Sequence, residues 1–215
     1  EYTTGNKLTH SQTLLPMLDE VIRRTSFNMD EIDAVAVAMG PGSFTGLRIG
    51  AATAKGLGLA LNKPIIGVPT VDGLAYQLFG VNSLICPMMD ARRKQVYTGF
   101  YRFHGSQMEV VKEQCAQSVE DTLKQLKEYK EPVIFLGDGV PVYRKEIEEA
   151  MGTDAVFAPA HVNRQRAGAV GALAEVYYEK GMWQTADAFA PEYLRKSQAE
   201  REREERIHGK SESKC

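Results

Sequence analysis

Only three cysteines occur in the chain, Cys86, Cys115 and Cys215. Their odd number and the lack of any C-x-x-C pair argue against a disulfide framework and against structural zinc, and point to a reducing compartment. Histidine is equally thin. His10, His104, His161 and His208 are scattered, with no two at helical ligand spacing, so no protein-built metal site is visible. No apolar run is long enough to span a membrane, and the opening residues are too polar for a signal peptide. Charge of one sign is missing too. With 26 Lys and Arg against 28 Asp and Glu the formal charge is -2, so any contact with nucleic acid has to be local or supplied by a partner. What remains is a 215-residue soluble chain, 43% hydrophobic, enough for a proper core in one large domain or two small ones. Its first residue is Glu1 rather than Met, which leaves open that it begins inside a domain.

The stretch 39–50, Met-Gly-Pro-Gly-Ser-Phe-Thr-Gly-Leu-Arg-Ile-Gly, organises the first half. Small and β-branched residues over 34–38 predict a strand entering it, and 45–61 predicts a helix leaving it. Gly40 and Gly42 can take positive φ and Pro41 fixes its own, so the chain can reverse sharply, with Ser43 or Thr45 capping the helix. Backbone N–H groups at such a helix start form an anion site, so Ser43 and Thr45 are candidate phosphate contacts; a tight strand-to-helix connection is the plain alternative. Walker A fails for want of Gly-Lys-Ser or Gly-Lys-Thr, and the hydrolase nucleophile elbow fails because no glycine stands two residues before Ser43. A Rossmann fingerprint half-fits through Gly40, Gly42 and Gly46, but its spacing is one residue too long and no acid ends the next strand.

In chain order, 1–4 reads as the end of a strand, Gly5-Asn6 as a turn, and a helix capped by Thr9 or Ser11 runs to Thr25 with Leu14, Leu15, Leu18, Val21 and Ile22 on a mostly core face. His10 at its start reads as a capping or packing residue. The helix from Thr45 carries Gly46, Gly50, Ala54 and Gly58 four residues apart, a smooth stripe that asks for close approach of something flat. Either the chain's own sheet or a helix of another subunit can supply it. A strand at 65–68 and a helix from Thr70 to Phe79 follow. Strands at 84–90, 95–103 and 108–115 then form a meander, and Arg92, Arg93 and Lys94 make its first turn the densest cationic spot in the chain, either solvated charge or a phosphate or RNA contact. A helix opened by Ser118 or Glu120 runs to Tyr129, a strand at 132–136 ends in Gly137-Asp138-Gly139, a helix runs to Met151, and a strand at 155–157 precedes a helix at 164–180. The alternating Glu and Arg of 200–206 read as a solvated helix or frayed end. The order of elements repeats, with the opening hairpin missing from the first half, which predicts a duplicated α/β lobe. The lobes are placed at 1–83 and 84–182, with 183–215 a C-terminal segment and charged tail.

Gly40-Pro-Gly-Ser-Phe-Thr-Gly-Leu-Arg-Ile-Gly50 closely resembles the signature of the TsaB family, also called YeaZ. Thr9-His-Ser-Gln-Thr-Leu-Leu-Pro16, Met89-Asp-Ala-Arg92 with Val96-Tyr97, Gly137-Asp-Gly139 and Pro191-Glu-Tyr-Leu-Arg195 extend the resemblance from end to end. It implies the two-lobed actin-like, sugar-kinase-like ATPase (ASKHA) fold, with the first lobe lacking its opening Asp-Thr-Ser hairpin here. It also implies a cytoplasmic, non-catalytic subunit for threonylcarbamoyladenosine synthesis at the tRNA adenosine beside the anticodon. The transfer would be made by the paralogue TsaD, with the ATPase TsaE also bound and tRNA met through the complex. Leu14, Leu15, Leu18 and Ile22 with Gly46, Gly50, Ala54 and Gly58 are then the expected partner interface, half of a four-helix bundle completed by TsaD or by a second copy of the chain. No catalytic or metal residue and no cofactor bound by this chain alone is expected, a nucleotide at the subunit junction being left open. TsaD-like relatives carry a histidine pair on the first helix, where His10 stands alone. The alternative is a nucleotide- or metal-dependent transferase or protease of the same fold, for which Asp90 and Asp138 are the acids at hand.

Overall fold

The computed structural model describes residues 1–4 and 10–195. Among these, seven strands and six α-helices form an α/β molecule with two sheets. In the first, β1 (Val35–Gly40) pairs in parallel with β2 (Ile65–Pro69) through α2 (Phe44–Leu61). The second has β3 (Leu84–Asp90) at its centre. The antiparallel meander to β4 (Gln95–His104) and β5 (Gln107–Ser118) lies on one side, and parallel β6 (Val133–Leu136) and β7 (Ala155–Phe157) on the other.

Period-two alternation places the core. Leu84, Cys86 and Met88 of β3 face α4 (Val119–Lys127) and α5 (Gly139–Met151), meeting Leu126 and Ile147, while Ile85 faces the other way toward α3 (Thr70–Ala75) through Val71 and Leu74. The first sheet divides likewise. Ile65 joins Ala51 and Ala54 of α2, whereas Ile66 and Val68 meet Leu173 and Ala174 of α6 (Ala167–Glu179). The division at residues 83 and 182 is thus crossed twice, since α3 packs on the second sheet and α6 on the first.

Several expectations change. Residues 1–4 form no strand; Glu1 is drawn instead to Arg166 beside the start of α6. The helix expected to reach Phe79 stops at Ala75, and Tyr76–Leu78 tightens to a 3-10 turn where Tyr76, Phe79 and Phe103 pack ring against ring. β5 runs on to Ser118 because β4 offers pairing as far as Gln95, and α6 begins only at Ala167 because Arg166 is extended. α1 (His10–Thr25) buries none of its residues, contrary to the core face expected of it; it lies alongside α2 and packs on neither sheet's core. Ser11 falls inside α1 rather than before it. Thr9, the Gly5-Asn6 turn and the tail at 200–206 lie outside the described residues.

Candidate functional site

Two glycine loops at the C-terminal ends of parallel strands mark corresponding places in the two sheets. Gly40 has φ +127° and Gly137 φ +111°, a region that L side chains rarely adopt. A Cβ at Gly40 would fall on the Glu192 carbonyl, and one at Gly137 on the Met88 carbonyl. Gly42 stays outside the positive-φ region, so the first reversal needs one glycine rather than two. Ser43, not Thr45, caps α2 by accepting from the Gly46 N–H at 3.4 Å. Phe44 stacks under the Arg48 guanidinium at 4.1 Å and against Tyr193 at 4.9 Å, which covers this helix start with side chains.

Gly40 is closed over by residues 184–195, which act as a strap. Gln184 exchanges both backbone hydrogen bonds with Ile65, Glu192 N–H donates to the Met39 carbonyl at 2.7 Å, and Lys55 Nζ of α2 donates to the Asp187 and Phe189 carbonyls. Its own Ala186 and Phe189 are buried. The small-residue stripe finds its close approach here. Gly58 faces Ala186 and Ile65, Gly50 faces Val37, and Ala54 is only 4% exposed. This corrects the assignment of Ala54 and Gly58 to a partner interface, because the chain's own sheet and strap fill that face. The outward face of α2 is instead Thr45, Arg48, Ala52, Gly56, Leu59 and Ala60. Leu14, Leu18 and Ile22 of α1 are half-buried and Leu15 is exposed; Gly46 meets only Ser43.

In the second sheet, Asp90 and Asp138 hold a loop. Asp90 N–H donates to Asp138 Oδ1 at 3.2 Å, and Asp90 Oδ1 accepts from the Arg92 N–H at 2.8 Å and from the Tyr143 hydroxyl at 3.0 Å. Arg195 Nη1, at the end of the strap, donates to the Ala91 carbonyl at 2.9 Å. Arg92, Arg93 and Lys94 are exposed on top. Of the other expected anion residues, Ser43 and Thr45 sit at the start of α2 beside Gly46, in the first sheet's half of the chain, whereas this turn joins β3 to β4.

A buried acid missed by sequence reading ties the halves together. Asp72 of α3, 4% exposed, accepts from the Tyr101 hydroxyl of β4 at 2.6 Å and from the Tyr177 hydroxyl of α6 at 3.2 Å. Burial pushes its pKa up, the two phenols pull it back in part, and the negative charges of Glu113 and Glu192 add to the rise. Close by, Gln114 Nε2 donates to the Gly40 carbonyl and to Glu192 Oε2, both at 3.3 Å. The one available signal was an aspartate inside an otherwise apolar run, Val71-Asp-Gly-Leu-Ala75. Cys86 is buried against Thr98 and its thiol is pushed up to about 12 by desolvation, so it is no nucleophile. Among the described residues no three His, Cys, Asp or Glu are grouped to hold a metal, and no helix is long and apolar enough to cross a membrane.

A family model described as TsaD: tRNA N6-adenosine threonylcarbamoyltransferase matches residues 6–203. The tRNA threonylcarbamoyladenosine biosynthesis protein TsaB of Bacillus subtilis is 34% identical over 202 residues, 93% of this chain and 86% of that protein. Its counterpart of the same name in Escherichia coli K12 is 36% identical over 110 residues, 47% of this chain and 48% of that protein. Among solved structures, an uncharacterized Pseudomonas aeruginosa protein with similarity to peptidase YeaZ covers 87% of this chain and 85% of its own at 25% identity and TM-score 0.74. YeaZ from the same organism aligns over 90% and 88% at 23% identity and TM-score 0.72, a likeness of fold.

Proposed function

The chain belongs to the TsaB (YeaZ) family, and from that membership we propose that it serves threonylcarbamoyladenosine synthesis in tRNA as a cytoplasmic, non-catalytic scaffold that binds a TsaD-like paralogue and, with it, a TsaE-like ATPase. The observation that carries the scaffold reading is α1, a 16-residue helix with no buried residue and an apolar face. Leu15 on α1 is 57% exposed and Leu59 on α2 58%. Together with Ala52 and Gly56 they offer two helices to two helices of a partner, or of a second copy when the partner is absent. Support for a non-catalytic role comes from Asp90 and Asp138, each of which spends one carboxylate oxygen on the fold, Asp138 Oδ1 on the Asp90 N–H and Asp90 Oδ1 on the Arg92 N–H and the Tyr143 hydroxyl. The matched glycine loops support reading the sheets as duplicated lobes of ASKHA type, β6–α5–β7 repeating β1–α2–β2.

The test is Leu15→Asp with Leu59→Asp. Both side chains are exposed, so the melting temperature should hold while binding to TsaD falls roughly a hundredfold, the effect of losing about 3 kcal/mol of interface contacts. Unchanged binding sinks the assignment of this face. ATP turnover by the pure protein that disappears on Asp90→Asn would favour the alternative, a nucleotide-dependent enzyme of this fold.

A further inference from the structure

We infer that the turn Arg92-Arg93-Lys94 is a rigid contact for the phosphate backbone of RNA, a reading that rests on the proposed role in tRNA modification and places RNA on this chain itself. All three residues have positive φ, +61°, +55° and +56°. The other non-glycine residues of this kind, Ser26, Asn62 and Lys130, are single residues at or just beyond helix ends, where such a conformation is ordinary. Three in succession make one left-handed turn of bulky L residues, which persists only where its surroundings over-determine it.

Backbone hydrogen bonds supply those surroundings. Asp90 takes the Arg92 N–H, Gln95 N–H donates to the Arg92 carbonyl at 3.1 Å, Ala91 N–H to the Gln95 carbonyl at 3.0 Å, and Val119 N–H to the Lys94 carbonyl at 3.1 Å. Arg195 grips Ala91 from outside. The backbone is therefore held at both ends while its three side chains are exposed. None of the three has an ion-pair or hydrogen-bond partner for its cationic group among the described residues. Seven of the other eight described arginines do have one, or a ring beneath them, in Asp19, Glu20, Phe44, Ala91, Glu131, Glu148, Glu1 and His161. Cations that the fold does not use, on a strained turn that it does hold, fit a ligand with several anionic oxygens close together. Guanidinium forks match phosphate bidentately, and three adjacent exposed cations can meet more than one phosphate of a strand. The adjoining cleft of ≈ 580 Å³ between α4 and α5 adds Lys124 and Lys127 beside Lys94, with Glu120, Glu146 and Glu149 along it, so the concentrated positive charge is at the turn and not in the cleft.

Asparagine tolerates left-handed backbone better than arginine or lysine does. The triple variant Arg92→Asn, Arg93→Asn, Lys94→Asn should therefore keep the turn and the melting temperature while removing its charge. Binding of an unmodified tRNA transcript is measured for the full chain, free and mixed with TsaD, across a salt series; TsaD binding is measured alongside. We expect RNA affinity to drop roughly tenfold near 0.1 M salt and the salt slope to flatten by about two, with TsaD binding intact. Unchanged RNA affinity and slope overturn the inference and leave the scaffold reading standing, as does a loss confined to TsaD binding, which would make the turn a protein contact. No RNA binding by the unaltered chain, free or with TsaD, also overturns it. A variant that loses RNA while the unaltered chain never binds TsaD keeps the inference and sinks the scaffold reading.

Discussion

β1–α2–β2 and β6–α5–β7 are the same device in different company. Each has two parallel strands, a helix between them, and a glycine at positive φ where the first strand ends. In the second unit the wall against that glycine is Met88 of β3, a strand hydrogen-bonded into the middle of a five-stranded sheet. In the first unit the wall is Glu192, more than 150 residues further on, in a strap with only a few backbone bonds to the sheet. One local design can thus be completed by a neighbouring strand or by a distant segment, and the completion decides how rigid it is.

Substituting the two glycines tests that difference most strongly. Gly137→Ala drives a methyl group into a carbonyl that β3 cannot move, and should cost roughly 4 kcal/mol or more in urea unfolding. Gly40→Ala meets a strap that can lift, and about 2 kcal/mol is expected, within the usual cost of a strained backbone position. Equal losses would mean that the strap is as firm as a central strand. Ala54→Leu comes next. With Ala54 packed among Ile65, Ala186 and Phe189, the added volume should cost about 1–3 kcal/mol of stability. A variant that melts normally but fails to bind TsaD would return Ala54 to the interface and take the strap off the stripe.

The smallest effect concerns Asp72 of α3, which joins β4 to α6 through Tyr101 and Tyr177. Its folded pKa is raised from the ordinary 3.8, so the native state holds this proton more tightly than the unfolded chain does. Stability from this group is therefore greatest at low pH and falls as pH rises from 3.8 through the higher folded value. Asp72→Asn keeps an acceptor for one tyrosine and should flatten that decline in a pH series of urea unfolding curves. A slope that survives the substitution would assign it to other groups.

Much of the local structure was legible. Ser43 as a helix cap, the strand ending at Asp90, the Gly137-Asp138-Gly139 loop and the cationic turn all depend on neighbours within a few residues, and each sits where its pattern placed it. The apolar face of α1 was legible as a face but not its exposure, because periodicity reports which side is apolar and says nothing of what lies against it. The left-handed backbone of Arg92, Arg93 and Lys94 was also hidden, since nothing in the residue types favours it.

Most elements, their order and the family were set at the level of residues alone, because propensity, capping and glycine conformation act over a few residues and a signature is read directly. That the stripe on α2 meets the strap, that Gly40 closes on Glu192 and that Asp72 joins Tyr101 and Tyr177 came from packing between distant elements. Those partners are 29 to more than 150 residues apart. Which distant surface fills a smooth face or surrounds a buried acid depends on how the packed elements exclude water from one another, and a local pattern does not carry that information.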